Sequence, residues 1–517
     1  MQRDGYTKSL WQTTTEHSSM PEGAMPLHVL DVVVVGAGIT GLSTALALQQ
    51  AGMKCLVIEA HSIGFGTTGG TSAHINTVLD LSYDKMISKH GMENALLVSR
   101  GAQDAAERIR QWAREHAPDC NWRDQDAYMY ATTEKQADEL EHIVEGTRTV
   151  GMDASLVDRT PPYFTSIRTA RFGGQASFHP TRYLMGIARA FLEKGGLLKE
   201  HCRVLDVETS DRGALTVHTA SGAVRAKHLV YATNVPPGVN ILHFRNAPYR
   251  SYVLAAKLLP GAEPLGALVY DMVDPYYYYR MEQVDGENFL IAGGCDHKTG
   301  EGDERTHARK LEAHVRSLFP VAEITHQWSS QYFEPTDGLP YIGHLPMSDD
   351  RILAATGYSG NGLTHGTLAS IVLTDLLVKG QSPYQKVFNP ARVSAVAGFS
   401  NFVKEAADVV GHLIAAPFPE ERLTELGDLA RGEGKVVQHD GHSVGLFRDD
   451  NGHLHGVSPA CSHIKCTVAW NGIERSWDCP CHGSRFGLDG TVLTAPARKP
   501  LEQISIVGGH VVKVSEA

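Results

Sequence analysis

Residues 31–60, DVVVVGAGITGLSTALALQQAGMKCLVIEA, pass from a continuous β-branched run through a glycine turn into an apolar-periodic stretch and out into a second short apolar run. Continuous apolar runs of four to eight residues predict buried strands, and apolar recurrence every three or four residues predicts a helix, so this segment predicts a βαβ unit. A glycine turn feeding an apolar helix recurs in GYSGNGLTHGTLASIVLTDLL, residues 357–377. Between these lie YRSYVLAAKL (249–258) and DMVDPYYYYRMEQVDGENFLIAGGCDHKTG (271–300). Strand alternation there puts Tyr276 and Tyr278 on one face and Tyr277 and Tyr279 on the other. After residue 385 the pattern changes to a proline-punctuated stretch enclosing one amphipathic helix, roughly Asn401 to Ala415, and then to short strands and glycine turns.

These shifts predict four parts: an N-terminal arm (1–30), a main body (31–385), a linker with a helix (386–421) and a small β domain (422–517). A chain of 517 residues is longer than one hydrophobic core serves, which agrees with that division. The composition, 42% hydrophobic and 20% charged, is that of a folded chain. A net charge of -11 argues against the basic surface that nucleic acid binding needs. The first thirty residues carry no apolar run of signal-peptide length and no twin arginine, the apolar stretches are broken by glycine and polar residues, and Lys404, Glu405 and Asp408 lie in the linker helix. The expectation is a cytoplasmic protein without a membrane span.

Gly36, Gly38 and Gly41 fit the pattern G-x-G-x-x-G. The first permits a tight turn, the second lets backbone approach a pyrophosphate, and the third lets helix pack on strand, with the helix N-terminus facing the phosphates. Glu59, at the end of the second strand, is placed to accept hydrogen bonds from a ribose hydroxyl. The chain holds no second such motif, which favours one permanently bound dinucleotide, FAD, over a diffusing nicotinamide.

The segments GFGTTGGTSAHINT (64–77), KEHCRVLDVE (199–208), ALTVHTASGAVRAKHLVYATN (214–234) and DGLPYIGHLPMSDDRILAATGYSGNGLTHGTLAS (337–370) follow that unit in an order that resembles flavoproteins related to D-amino-acid oxidase, glycine oxidase and sarcosine oxidase. The resemblance runs from about residue 8 to residue 385. It implies an α/β fold, a Rossmann-type FAD-binding domain (about 31–90, 150–242 and 326–385) with an interleaved antiparallel-sheet substrate domain (about 91–149 and 243–325). It also implies that Thr67, Thr68 and Thr71 lie in a loop of small residues against FAD, that Val204 holds the adenine through its backbone, and that Thr233 closes a strand beside the cofactor. Gly357, Gly360, Asn361, Gly362, Leu363 and Thr364 would lie under the isoalloxazine. Read for itself, that last loop is either a simple turn before a core helix or a set of outward N–H groups that stabilises the reduced flavin's anionic edge.

The substrate-side candidates are Tyr252, Tyr278 and Arg280, against the alternative that a tyrosine-rich strand merely packs on a helix. His74 and His179 are further candidates. The resemblance implies that a hydride leaves a carbon bearing nitrogen for the flavin, with positioning mattering more than a strong base, and no acid–base dyad shows in the sequence.

Of the eight cysteines, Cys55, Cys120, Cys202 and Cys295 stand singly, and the other four crowd into CSHIKCTVAWNGIERSWDCPCHGSRF, residues 461–486. Cys461-x-His463, fifteen residues, and Cys479-x-x-His482 match the order of ligands in a Rieske 2Fe-2S centre. A mixed zinc site is the competing reading, but leaves Cys466, Cys481 and Gly483-Ser484 unexplained. The segment resembles the Rieske family, an all-β domain. The resemblance implies a disulfide between Cys466 and Cys481 and a hydrogen bond from Ser484 to a cluster sulfur. Phe486 departs from it, standing where the respiratory members have a tyrosine that supplies another. A lost donor destabilises the reduced cluster, so the expected potential lies between those of the Rieske oxygenases and the respiratory proteins.

Together these features predict a flavin dehydrogenase that oxidises an amine or amino acid and passes electrons singly through the cluster to an external acceptor. The His463–His482 end of the cluster is expected to be exposed, toward flavin or acceptor. Two other readings remain at this point: an NAD(P)H-dependent reductase feeding a partner oxygenase, and a non-catalytic redox-sensing module.

Overall fold

The computed structural model describes residues 3–16, 20, 25–210, 213–392, 429–439, 441–507 and 510–513. The helix expected over Asn401 to Ala415 lies outside these residues.

The β-branched run forms strand Leu30–Val35, the centre of a parallel sheet flanked by Cys55–Ile58 and Leu197–Lys199 on one side and by Gly222–Tyr231 and Ile352–Thr356 on the other. Five of its six residues are buried, because helices or loops cover both faces, and this is why it reads as continuously apolar. Helix Ile39–Gln50 follows the glycine turn and packs on helix Gly362–Lys379. Gly36 has φ +106°, and a Cβ there would lie 2.5 Å from the Ala232 carbonyl oxygen, while one on Gly41 would strike the Gly36 carbonyl. The tight turn and the close helix–strand packing therefore both require glycine.

A second, nine-stranded sheet stands beside the first. Its main path runs Val321–Pro335, Asn246–Leu258, Glu287–Lys298, Tyr278–Val284, Leu268–Tyr270, Arg123–Ala131, Arg168–Ser177 and His74–Ile75, antiparallel except at one junction. This is the Rossmann-type fold with an interleaved, largely antiparallel second sheet. The C-terminal region is all β, in a five-stranded sheet that begins with Gly434–His439 and a four-stranded sheet that begins with Ala469–Asn471.

The N-terminal arm is no free tail. Helix Leu10–Thr13 buries Leu10 and Trp11, and the Trp11 indole donates to the Thr71 carbonyl at 2.6 Å. Ahead of it, the Arg3 guanidinium donates to both oxygens of Glu474 in the β domain, at 2.8 and 2.9 Å, while Ser329 and Thr7 donate to the same carboxylate. Arg485 pairs with Asp4 at 2.7 Å and Asp478 at 3.1 Å, and Arg250 lies 3.5 Å from Asp478. These groups are almost fully buried, so a network of opposite charges shut off from water joins arm, second sheet and β domain.

Candidate active site and cluster site

The glycine turn opens on a long cavity along the parallel sheet. Gly36, Gly38, Glu59, Thr67, Thr68, Thr71, Val204, Thr233, Gly362 and Leu363 line it, with Arg203 and Tyr332. The Glu59 carboxylate accepts the backbone N–H groups of Ala37 (2.8 Å) and His61 (2.9 Å), and burial pushes its pKa up against those donors and Arg203. The Thr68 hydroxyl accepts from the Ile39 N–H (3.2 Å) at the helix start, where a Cβ on Gly38 would lie 3.0 Å from it. A glycine-walled cradle at a helix N-terminus, with an acid beyond it, fits a dinucleotide. The Thr67 hydroxyl donates to the Gln331 carbonyl, and that of Thr233 to the Val235 carbonyl, at 2.7 and 2.8 Å.

At the far end, Asn361 precedes helix Gly362–Lys379 with its side-chain oxygen turned to the Asp80 N–H, and Thr364 donates to the Asn76 carbonyl at 2.8 Å. Gly357 has φ +78°, and a Cβ there would lie 2.5 Å from the Asn246 side-chain oxygen. The Gly360 N–H donates to Asp80 at 2.6 Å.

The substrate-side candidates divide. Tyr278 lies on the face where its hydroxyl meets Ser251 at 3.0 Å and Tyr276 is 6.0 Å away, while Tyr277 stacks on His314 on the opposite face, as alternation predicts. Tyr252 does not join Tyr278. It pairs across the ladder with Gly294, whereas Tyr278 pairs with Gly293, and the two-residue period sends their rings to opposite faces. Tyr252 instead bonds His297 at 3.0 Å in the core beneath helix Glu304–Leu318. Arg280 is likewise corrected: buried beside Trp11, its guanidinium is committed to Glu282 and the Ser72 carbonyl. His179 caps helix Pro180–Glu193. His74 borders the tyrosines, 5.4 Å from the Tyr278 ring, and burial holds its pKa well below the ordinary histidine value. Sequence reasoning missed Asp80, Asp296, Tyr270 and Tyr332 here, which come from separate segments with no local motif.

In the β domain, the predicted ligand side chains converge. The Cys461 and Cys479 thiols lie against each other, a contact that lowers the pKa of the first and raises that of the second. The His463 and His482 rings lie 5.1 Å apart, and all four of their nitrogens are buried without a hydrogen-bond partner. Burial lowers His463 to about 4 and His482 to about 3, so both are neutral imidazoles. Two adjacent thiols and two orphaned neutral imidazoles fit a Cys₂His₂ iron–sulfur site. Cys466 and Cys481 form a disulfide; their sulfurs lie within 4.8 Å of that of Cys479, but bonded to each other they supply no thiolate.

The histidine end is not exposed, contrary to expectation. It is pressed onto residues 236–244 of the main body: the His243 ring lies 4.9 Å from His463 and 6.0 Å from His482, and Phe244 lies 5.0 Å from His482. Docking in this orientation removes the imidazoles from water. Beside it, Leu493, Thr494, Ala495, Ala497 and Arg498 of the β domain line the same cavity as the glycine turn.

The family model described as FAD dependent oxidoreductase matches residues 31–376. The chain belongs to this family. This FAD dependent oxidoreductase also matches the Rieske 2Fe-2S domain over residues 422–505, and the two domains imply FAD and a 2Fe-2S cluster as cofactors. It is similar to the Bacillus subtilis protein YhfW, named as a Rieske 2Fe-2S iron-sulfur protein, with 34% identity across 96% of this chain and 98% of that one. Gamma-glutamylputrescine oxidoreductase of Escherichia coli is 28% identical over 67% of this chain and 83% of its own length. Among solved structures, glycine oxidase from Geobacillus kaustophilus shares the fold with a TM-score of 0.60 at 18% identity, over 71% of this chain and 99% of that one. Among the described residues, no helix of this oxidoreductase is long and apolar enough to cross a membrane.

Proposed function

We propose that this oxidoreductase removes two electrons from a C–N bond of an amine or amino acid, giving an imine, and releases them singly through its Rieske centre to an external acceptor. The observation that carries this reading is the shared wall. The segment 493–498 of the β domain lines the FAD cavity, and the histidine end of the cluster site is docked on the loop beside it. When bound, FAD would accept a hydride from the carbon bearing nitrogen, and the cluster would carry one electron at a time.

The chain's own residues bind and position. Gly36, Gly38 and the first turn of helix Ile39–Gln50 would hold the pyrophosphate, Glu59 a ribose, and Val204 the adenine, with Thr67, Thr68, Thr71 and Thr233 along the cofactor. The loop from Gly357 to Thr364 would support the isoalloxazine and keep water from its edge. Cys461, His463, Cys479 and His482 would hold the cluster. The names of the relatives also support the reading, since glycine and gamma-glutamylputrescine both carry amine nitrogen.

Anaerobic addition of amines, amino acids and NADH, with flavin absorption and the Rieske EPR signal followed together, tests the proposal. An amine or amino acid should bleach the flavin, and the cluster signal should then grow. Reduction by NADH alone would replace the proposal with the reductase reading. No reduction by any small molecule would leave the redox-sensing reading.

A further inference from the structure

Beside the loop from Gly357 to Thr364 gather carboxylates and tyrosines from five separate segments, Tyr332 among them reaching the cavity wall. Asp80 accepts the Gly360 N–H at 2.6 Å and the Tyr276 hydroxyl at 3.1 Å, and its own N–H donates to Asn361 at 3.0 Å. Asp80 is thus fixed against the loop assigned to the isoalloxazine, yet its side chain stays accessible. Asp296 accepts the Tyr332 hydroxyl at 2.9 Å through one oxygen, and its other oxygen is buried with no hydrogen-bond partner. Tyr332 itself lines the FAD cavity. Tyr270, Tyr276 and Tyr278 complete the walls, with neighbouring ring centroids 6.3 and 6.0 Å apart. A Cβ on Gly293 would lie 2.2 Å from the Tyr278 ring, so that ring can lie over the strand only because the position is glycine.

Among the described residues, no lysine or arginine forms an ion pair with Asp80 or Asp296. Arg280, the cation that the sequence suggests for the substrate side, is committed to Glu282 and the Ser72 carbonyl. His74 is held neutral by burial and by the charge of Arg280. Desolvation by the surrounding side chains raises Asp296 to about 6 and Asp80 above the ordinary aspartate value, and no ion pair among the described residues offsets it. Carboxylates ringed by aromatic faces attract an ammonium group through charge and through the ring quadrupoles, and repel an anion.

We propose that this cage selects a cationic amine without a carboxylate beside its reacting carbon, with the ammonium held between Asp80 and Asp296 against the tyrosine faces and giving its proton to one of these carboxylates before the hydride leaves. The inference rests on the amine-oxidising reading above and narrows it. An α-amino acid would have to place its carboxylate among these acids with no cation to receive it.

The test uses the FAD-loaded full chain and two probes that cannot be oxidised at a C–H beside a primary amine, benzyltrimethylammonium and benzoate, with perturbation of the flavin spectrum as the binding signal. Benzyltrimethylammonium should bind and benzoate should not. Asp296→Asn, which keeps the shape, should weaken the cation at least tenfold, and Tyr276→Phe, which keeps the aromatic face, should weaken it far less. Tighter binding of benzoate than of the cation, or an unchanged cation affinity in Asp296→Asn that still holds its flavin, would overturn the proposal. In the matching reduction assay, benzylamine should bleach the flavin and phenylalanine should not. Reduction by phenylalanine alone would sink this inference but leave the broader reading standing. Failure of both to reduce, with the cation still bound, would do the reverse.

Discussion

Replacing Glu474 by glutamine should loosen the β domain from the main body. The buried carboxylate receives Arg3, Thr7 and Ser329, and burial, which would raise its pKa, is outweighed by Arg3, Arg250 and Arg485, which hold it down to about 2 from 4.5. That difference, at about 1.4 kcal/mol per pH unit, amounts to about 3 kcal/mol. Because the folded-state pKa is the lower one, this stabilisation is fully present above about 4.5 and is lost as pH falls toward about 2. Glutamine keeps the shape and removes the charge, leaving three guanidiniums to Asp4 and Asp478 alone. The assay is urea denaturation of the FAD- and cluster-loaded protein, read separately by cluster circular dichroism and flavin fluorescence, because two domains need not unfold in one step. The cluster signal of the variant should be lost with about 3 kcal/mol less resistance at pH 7, and the gap from the unsubstituted protein should begin to close only below about pH 5. A gap under about 1 kcal/mol, the range of exposed ion pairs, would refute the reasoning.

Three further outcomes follow from the same geometry. Ser484→Ala removes a buried hydroxyl in hydrogen-bond contact with Cys461 and should lower the cluster potential by about 40–90 mV, for about 1–2 kcal/mol of differential hydrogen bonding, as read by EPR-monitored redox titration. The Cys466→Ser, Cys481→Ser double variant opens a loop of fifteen residues and should cost the cluster domain about 3 kcal/mol, seen as faster loss of the EPR signal to an iron chelator. Gly36→Ala sets a Cβ 2.5 Å from the Ala232 carbonyl oxygen at φ +106° and should abolish retention of flavin, measured by its absorption after gel filtration.

What the sequence made legible is what is local. The glycine turn, Glu59 and the Cys-x-His and Cys-x-x-His pairs each lie within one short segment, and backbone geometry brings such neighbours together without help from the rest of the fold. Tyr276 and Tyr278 were placed on a shared face by the two-residue period alone. The face of Tyr252 is not legible, because the link between its strand and that of Tyr278 runs through strand Glu287–Lys298, and the irregularity between Arg250 and Tyr252 changes the register there. The acids Asp80 and Asp296 were not legible, since one follows a short strand near residue 75 and the other ends a strand more than two hundred residues later. The arm gave no sign of its place in the interface, because Arg3 and Asp4 acquire meaning only from Glu474 and Arg485 at the other end of the chain. Burial of the histidine end is not legible either, because a ligand motif carries no information about what docks on it.

The central claim is that both redox sites act within one chain, and stopped-flow mixing of the fully loaded protein with a reducing amine under anaerobic conditions tests it most directly. Flavin bleaching should precede reduction of the cluster, and the rate of the second phase should stay constant as protein concentration is varied tenfold. A cluster that stays oxidised after the flavin is reduced, or one whose reduction rate scales with protein concentration, would contradict the account.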